Sequence, residues 1–190
     1  MGIRATLYRF IVEFSDIDQG IYETLDLRVA QHPSEDEERL VVRVLARAMA
    51  HEEGLEFGRG LSIPEDAGLV CRTMTGEIGT WIDVGMPSAE RLHRASKAAK
   101  RVLVFTHKPD LALWKEWRTR KIHRADSIQV VRFPASLISD LTETLERKVT
   151  WHVMIHEGQL SVTVGDRVFE EAVEQCSLVH FLLNAAEPSE

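Results

Sequence analysis

The chain has 190 residues, 44% hydrophobic and 28% charged, which suits one globular domain with a real core and excludes disordered and fibrous classes. Its formal net charge of -7 argues against a protein that coats nucleic acid nonspecifically, while leaving room for a local basic surface. Cys71 and Cys176 lie far apart and match no zinc or redox spacing. No leader-like core or membrane-length apolar stretch is present, so a reducing, cytoplasmic setting without a membrane is expected.

Residues 6–14 and 22–29 alternate in polarity around a polar turn at Ser15–Gly20 and read as a hairpin. A helix is expected from Ser34, as a cap with Glu37 completing a capping box, to about residue 53, with Gly54 ending it. Residues 69–73 and 78–84 read as strands around Thr75 and Gly76. Pro87 and Ser88 open a helix to about residue 100, and 102–105 is a short apolar strand. A helix over 109–121, a strand over 128–133 and a short helix after Pro134 come next. Residues 149–173 read as an antiparallel meander with turns at Glu157-Gly158 and Gly165-Asp166. Alternating strands and helices predict parallel crossovers, so the fold class is α/β, a single mixed sheet with a parallel centre and antiparallel flanks. The domain spans 1–184, with a loose tail over 185–190.

Two acids carry the candidate chemistry. Positions 38, 41, 42, 45 and 49 share one side of the first helix, so Glu38 ends an apolar stripe. A carboxylate there needs an ion-pair partner or a cation; a nearby arginine and a metal ion are both open. Asp83 ends the strand over 78–84, sharing a face with Trp81, at the carboxyl edge where open α/β sheets bind ligands. It could hold Mg²⁺ or cap its loop. His107, ending a parallel strand, lies on the same edge.

The segments His32-Pro33-Ser34-Glu35-x-x-Glu38-Arg39, Gly60-Leu61, Thr75-Gly76 and Trp81-Ile82-Asp83-Val84-Gly85-x-Pro87 resemble the YaeQ family in order and spacing, and the likeness extends over most of the chain. The resemblance implies a three-layer α/β/α, restriction-endonuclease-like fold of the PD-(D/E)xK type. It further implies a Mg²⁺-dependent phosphodiester-hydrolysing site acting on DNA or RNA, with Glu38 as the helix glutamate and Asp83 as the "(D/E)" acid. In such a site a hard cation neutralises the phosphate and activates water, and a lysine steadies developing charge. Here the "PD" position falls near Gly68, with acids only at Glu65 or Asp66, and the lysine position is Gly85. The expected metal ligands are therefore Glu38, Asp66 and Asp83. The next helix offers Arg91, Arg94 and Lys97, of which Arg94 and Lys97 share a face and would either clamp phosphate or form a solvated basic surface. The alternative is a non-catalytic descendant that binds nucleic acid or a protein partner through the same cleft.

The stretch from Trp114 to Arg124 is locally basic. Its arginines and lysines could meet phosphates while a tryptophan stacks on a base. Helix periodicity favours burying at least one of Trp114 and Trp117 instead. No P-loop, dinucleotide fingerprint or nucleophile elbow is present, and the histidines show no metal spacing.

Overall fold

The computed structural model describes residues 5–58, 66–108 and 111–184. The Gly60-Leu61 block, Glu65, Pro109 and the 185–190 tail lie outside them. Strands β1 (Thr6–Asp16) and β2 (Ile21–Gln31) form the expected hairpin, in register from Thr6 opposite Gln31 to Asp16 opposite Ile21. The Asp16 carboxylate closes the turn, accepting from the Gln19 amide at 3.0 Å and its side chain at 2.6 Å. Alternation then sends Phe10, Val12, Phe14, Leu25, Leu27 and Val29 inward.

Helix α1 (Glu37–Ala50) starts later than the sequence suggests. Asp36 is its cap, accepting from the Arg39 amide at 2.7 Å, because the Ser34 hydroxyl is engaged with the His32 ring at 2.6 Å. His51, in the left-handed region at φ 35°, ends it before Gly54. The apolar stripe expected on one side is nearly the whole circumference: Leu40 through Ala46, Ala48 and Ala50 are buried, Arg43 among them. A helix apolar all round needs cover on every side.

That cover comes from a second sheet, which corrects the single-sheet expectation. Strands β8 (Lys148–His156), β9 (Gln159–Val164) and β10 (Arg167–Ala172) form the expected antiparallel meander. Strand β8 docks in parallel on the free side of β1, giving the order β10-β9-β8-β1-β2. The other sheet comprises β3 (Glu56–Phe57), β4 (Leu69–Arg72), β5 (Ile78–Val84), β6 (Ala99–Thr106), β7 (Gln129–Arg132) and β11 (Glu174–Ser177). Its order is β11-β7-β6-β5-β4-β3, with β5, β6 and β7 parallel and the flanks antiparallel. The parallel-centre pattern thus holds three strands in this sheet and the single β8–β1 pair in the other.

Helix α1 touches β1 and β2 of one sheet and β5 and β6 of the other. With α4 (Ala135–Thr142) it fills a core between the sheets that includes Phe10, Phe14, Leu45, Phe105 and Trp151. Helices α2 (Ala89–Ala98), α3 (Leu111–Thr119) and α5 (Leu178–Asn184) pack on the outer face of the six-stranded sheet over Val102, Val104 and Val130. Trp114 and Trp117 are both buried there, and the Trp117 indole donates to the Pro87 carbonyl at 2.7 Å. Neither ring is presented for stacking on a base. Cys71 and Cys176 are free thiols, and burial pushes both upward in pKa. Among the described residues no helix is long and apolar enough to cross a membrane.

Candidate functional site

Strands β5 and β6 run in parallel and finish together, with Val84 opposite Phe105 and the Gly85 amide donating to the Phe105 carbonyl at 2.8 Å. The segments beyond the two strands therefore emerge at one edge. The start of α1 lies there too, its Arg39 guanidinium donating to the Val84 carbonyl. The sheet topology thus places Glu38, Arg39, Asp83, His107 and Lys108 along a common carboxyl edge.

Asp83 is only 3% exposed, and Arg91 neutralises it. The Ser88 hydroxyl caps α2, accepting from the Arg91 amide at 3.2 Å, which fixes Arg91 in the first turn. Its Nε then donates to both Asp83 oxygens at 3.0 Å and its Nη2 to Oδ1 at 2.6 Å. Nη2 also donates to the Asp66 carbonyl at 2.6 Å. The guanidinium lies over the Trp81 ring, 5.4 Å from its centroid, as expected if residues 81 and 83 share a strand face. Arg91 ties the loop, the strand and the helix together.

Glu38 is held differently. Its Oε2 meets the Lys108 ammonium and, at 3.2 Å, Nε2 of His107. The Lys108 hydrogen bond keeps the Glu38 carboxyl below its ordinary range, against burial, and His107 adds to the effect. Glu38 in turn raises Lys108. Burial lowers His107 despite the carboxylate beside it, and its Nδ1 is buried without a hydrogen-bond partner among the described residues. Behind this pair Glu35, almost wholly buried, receives Arg43 at 2.8 and 3.0 Å and lies 3.8 Å from the Arg39 Nε.

The two glycines at the motif positions have structural reasons. Gly85 sits at φ +91°, and a Cβ there would come within 3.1 Å of the Arg39 Nη1. A Cβ on Gly68 would come within 3.1 Å of the Ile82 carbonyl. A side chain at either position would crowd its neighbour, and at Gly85 it would also strain the backbone.

These donors do not fit a divalent metal. Both oxygens of Asp83 are engaged by Arg91, Oε2 of Glu38 is shared by two cationic or donor groups, and Asp66 reaches the cluster through its carbonyl. Among the described residues no group of three or more Asp, Glu, His or Cys side chains is placed to hold an ion. Arg94 is exposed and lies 3.9 Å from Glu90 one turn earlier. Lys97 lies at the far end of α2, in a concavity with Ile78 and Ala99. Five residues of strand, about 16 Å, separate Ile78 from Asp83, so Lys97 is on the opposite edge. Sequence reasoning brought Glu38, Asp83 and His107 to one place and missed Lys108, the residue after His107 at the same strand end. That strand-end rule was the available signal.

Fold and site define an α/β protein with two mixed sheets, whose motif acids meet at a parallel-strand edge and are each neutralised by a basic side chain. The chain belongs to the YaeQ family, whose model, described as "YaeQ protein", matches residues 1–173. It is 29% identical over 161 residues to the uncharacterized protein YaeQ of Salmonella typhi, covering 84% of this chain and 89% of that one. It resembles the crystal structure of the YaeQ protein from Xanthomonas axonopodis pv. citri with a TM-score of 0.82 and 30% identity, covering 89% and 96% of the two chains. The YaeQ protein from Pseudomonas syringae gives 0.80 and 31%, covering 92% and 96%.

Proposed function

We propose that this chain carries a restriction-endonuclease-like fold that has given up metal-dependent hydrolysis and binds nucleic acid without cutting it. The six-stranded sheet supports the fold: a parallel centre, antiparallel flanks, helices on both faces and two motif acids on the carboxyl edge. The saturation of Asp83 by Arg91 carries the non-catalytic reading, because a buried carboxylate with both oxygens in charge-assisted bonds is a poor ligand for Mg²⁺. The phosphate-binding surface is the concavity of about 520 Å³ at the amino edge, lined by Lys97, Lys100, His123 and Arg124 together with Glu77, which lies 3.5 Å from Lys100. Arg124 is fixed there by the Ser96 and Ala99 carbonyls. In a chain of net charge -7, such a basic hollow focuses phosphate contacts on one place. The free thiols of Cys71 and Cys176 support a reducing, cytoplasmic setting.

The test is twofold. Fluorescence anisotropy with labelled single- and double-stranded DNA and RNA should detect salt-sensitive binding. Lys97→Ala with Lys100→Ala should weaken it and lower the log–log salt slope by about one to two. Incubation with Mg²⁺ and Mn²⁺ should give no turnover in the native chain or in Asp83→Ala. Metal-dependent cleavage that Asp83→Ala abolishes would establish a nuclease, and absence of binding would remove the nucleic-acid reading.

A further inference from the structure

The sheets of this protein end in short edges, with one exception. Strands β3, β11 and β10 are two, four and six residues long, whereas β2 runs for eleven. It contains no proline or lysine, and its register against β1 is unbroken by a bulge. Edges of that length are ordinarily shortened, kinked or charged with lysine to prevent further pairing.

The direction of its free hydrogen-bonding groups is set by its neighbour. The Arg9 amide donates to the Arg147 carbonyl on the β8 side at 2.9 Å, so odd-numbered residues of β1 turn their backbone to β8 and even-numbered ones to β2. Phe10 opposes Leu27 and Val12 opposes Leu25. Hence Thr24, Asp26, Arg28 and Ala30 present their amides and carbonyls outward. The Ala30 carbonyl indeed accepts from Arg43, at 3.3 Å. Among the described residues no strand covers the rest of this edge.

We infer that β2 pairs antiparallel with β2 of a second copy of this chain, about a dyad through Leu27, joining two five-stranded sheets into one. Charge selects both occupant and register. With the dyad at Leu27, Asp26 lies opposite the partner's Arg28, and Arg28 opposite the partner's Asp26, in hydrogen-bonded pairs. Moving the dyad to Asp26 would set that carboxylate against its own copy. Asp26 already accepts two bonds from Arg9, at 2.8 and 2.6 Å, and a carboxylate has acceptor sites left for a second guanidinium. Both residues are exposed.

Sedimentation velocity of the full chain at micromolar concentration tests this. The native chain should be a dimer. Thr24→Pro removes one outward amide that β1 does not use, so it should give a monomer with an unchanged circular dichroism spectrum. Asp26→Arg and Arg28→Asp each set like charges in register and should weaken association more than about tenfold. Mixed in equal amounts, these two charge variants should form a heterodimer, which decides the matter even if the proline variant does not fold. A monomeric native chain would overturn the inference. So would a dimer that persists in every variant, or charge variants that stay apart on mixing.

Discussion

Glu35 and Glu38 stand three residues apart at the start of the same helix and have opposite fates. Glu35 is enclosed with Arg43, their side chains 1% and 6% exposed, while Glu38 lies at the rim beside an ammonium that is 57% exposed. The difference lies in where each residue stands relative to the helix cap. Glu35 precedes the Asp36 cap and folds back into the core, accepting from the His32 amide at 3.3 Å, whereas Glu38 projects over the strand ends. Acids three residues apart in one motif can thus be enclosed in the core or left paired at its rim.

Several measurements could break that contrast. The largest effect is expected from Glu35→Ala, which leaves Arg43 buried without its counter-ion and should cost about 3–5 kcal/mol in urea unfolding. A loss no bigger than that of a surface pair would erase the distinction. Arg91→Ala should come next, at about 3 kcal/mol, because Asp83 is then buried and unpaired. Arg91→Lys should recover only part, since an ammonium cannot reproduce the fork that holds Asp83 and the Asp66 carbonyl. Glu38→Gln should cost about 1 kcal/mol or less at neutral pH.

The smallest effect is the pH dependence of the rim. Burial keeps His107 below its ordinary range, so the unfolded chain takes up that proton first on acidification. Its contribution is complete above about pH 6.5 and is lost as pH falls below it. Lys108 and His107 hold Glu38 low, so its contribution lasts further and disappears as pH drops from about 4.3 through the folded value. Urea midpoints measured against pH should lose the first stage in His107→Asn and the second in Glu38→Gln. Superimposable profiles for all three proteins would show that the rim does not couple to folding.

Local patterns made most of the elements readable. The period of two in β1, β2 and the meander, the Ser88 cap of α2 and the apolar run of β6 were all legible. The pairing of β1 with β8 was not, because alternation marks the faces of a strand and is silent about its edges. The competition between Ser34 and Asp36 for the helix cap was equally hidden, being settled by the His32 ring. In the site, Asp83 and Glu38 could be placed on one edge. Spacing alone favoured Arg94 and Lys97 over Arg91, although the cap at Ser88 sets the phase that turns Arg91 back toward Asp83. Lys108 has no spacing signal to mark it, only its place just beyond the end of β6. The four residues of β11 and helix α5 have too little periodicity to announce themselves.

The parallel pairing of β1 with β8 also sets an order of events in time. Arg9 lies opposite Lys148, so the inner edge of the first strand stays uncovered until the last quarter of the chain has been made. At roughly 5–20 residues per second, that is a wait on the order of ten seconds during synthesis. Helix α1, made directly after the hairpin, can cover its apolar face meanwhile, but the backbone groups of that edge stay unpaired. A contact of such sequence separation also closes a large loop, whose entropy must be met before the pairing rewards it.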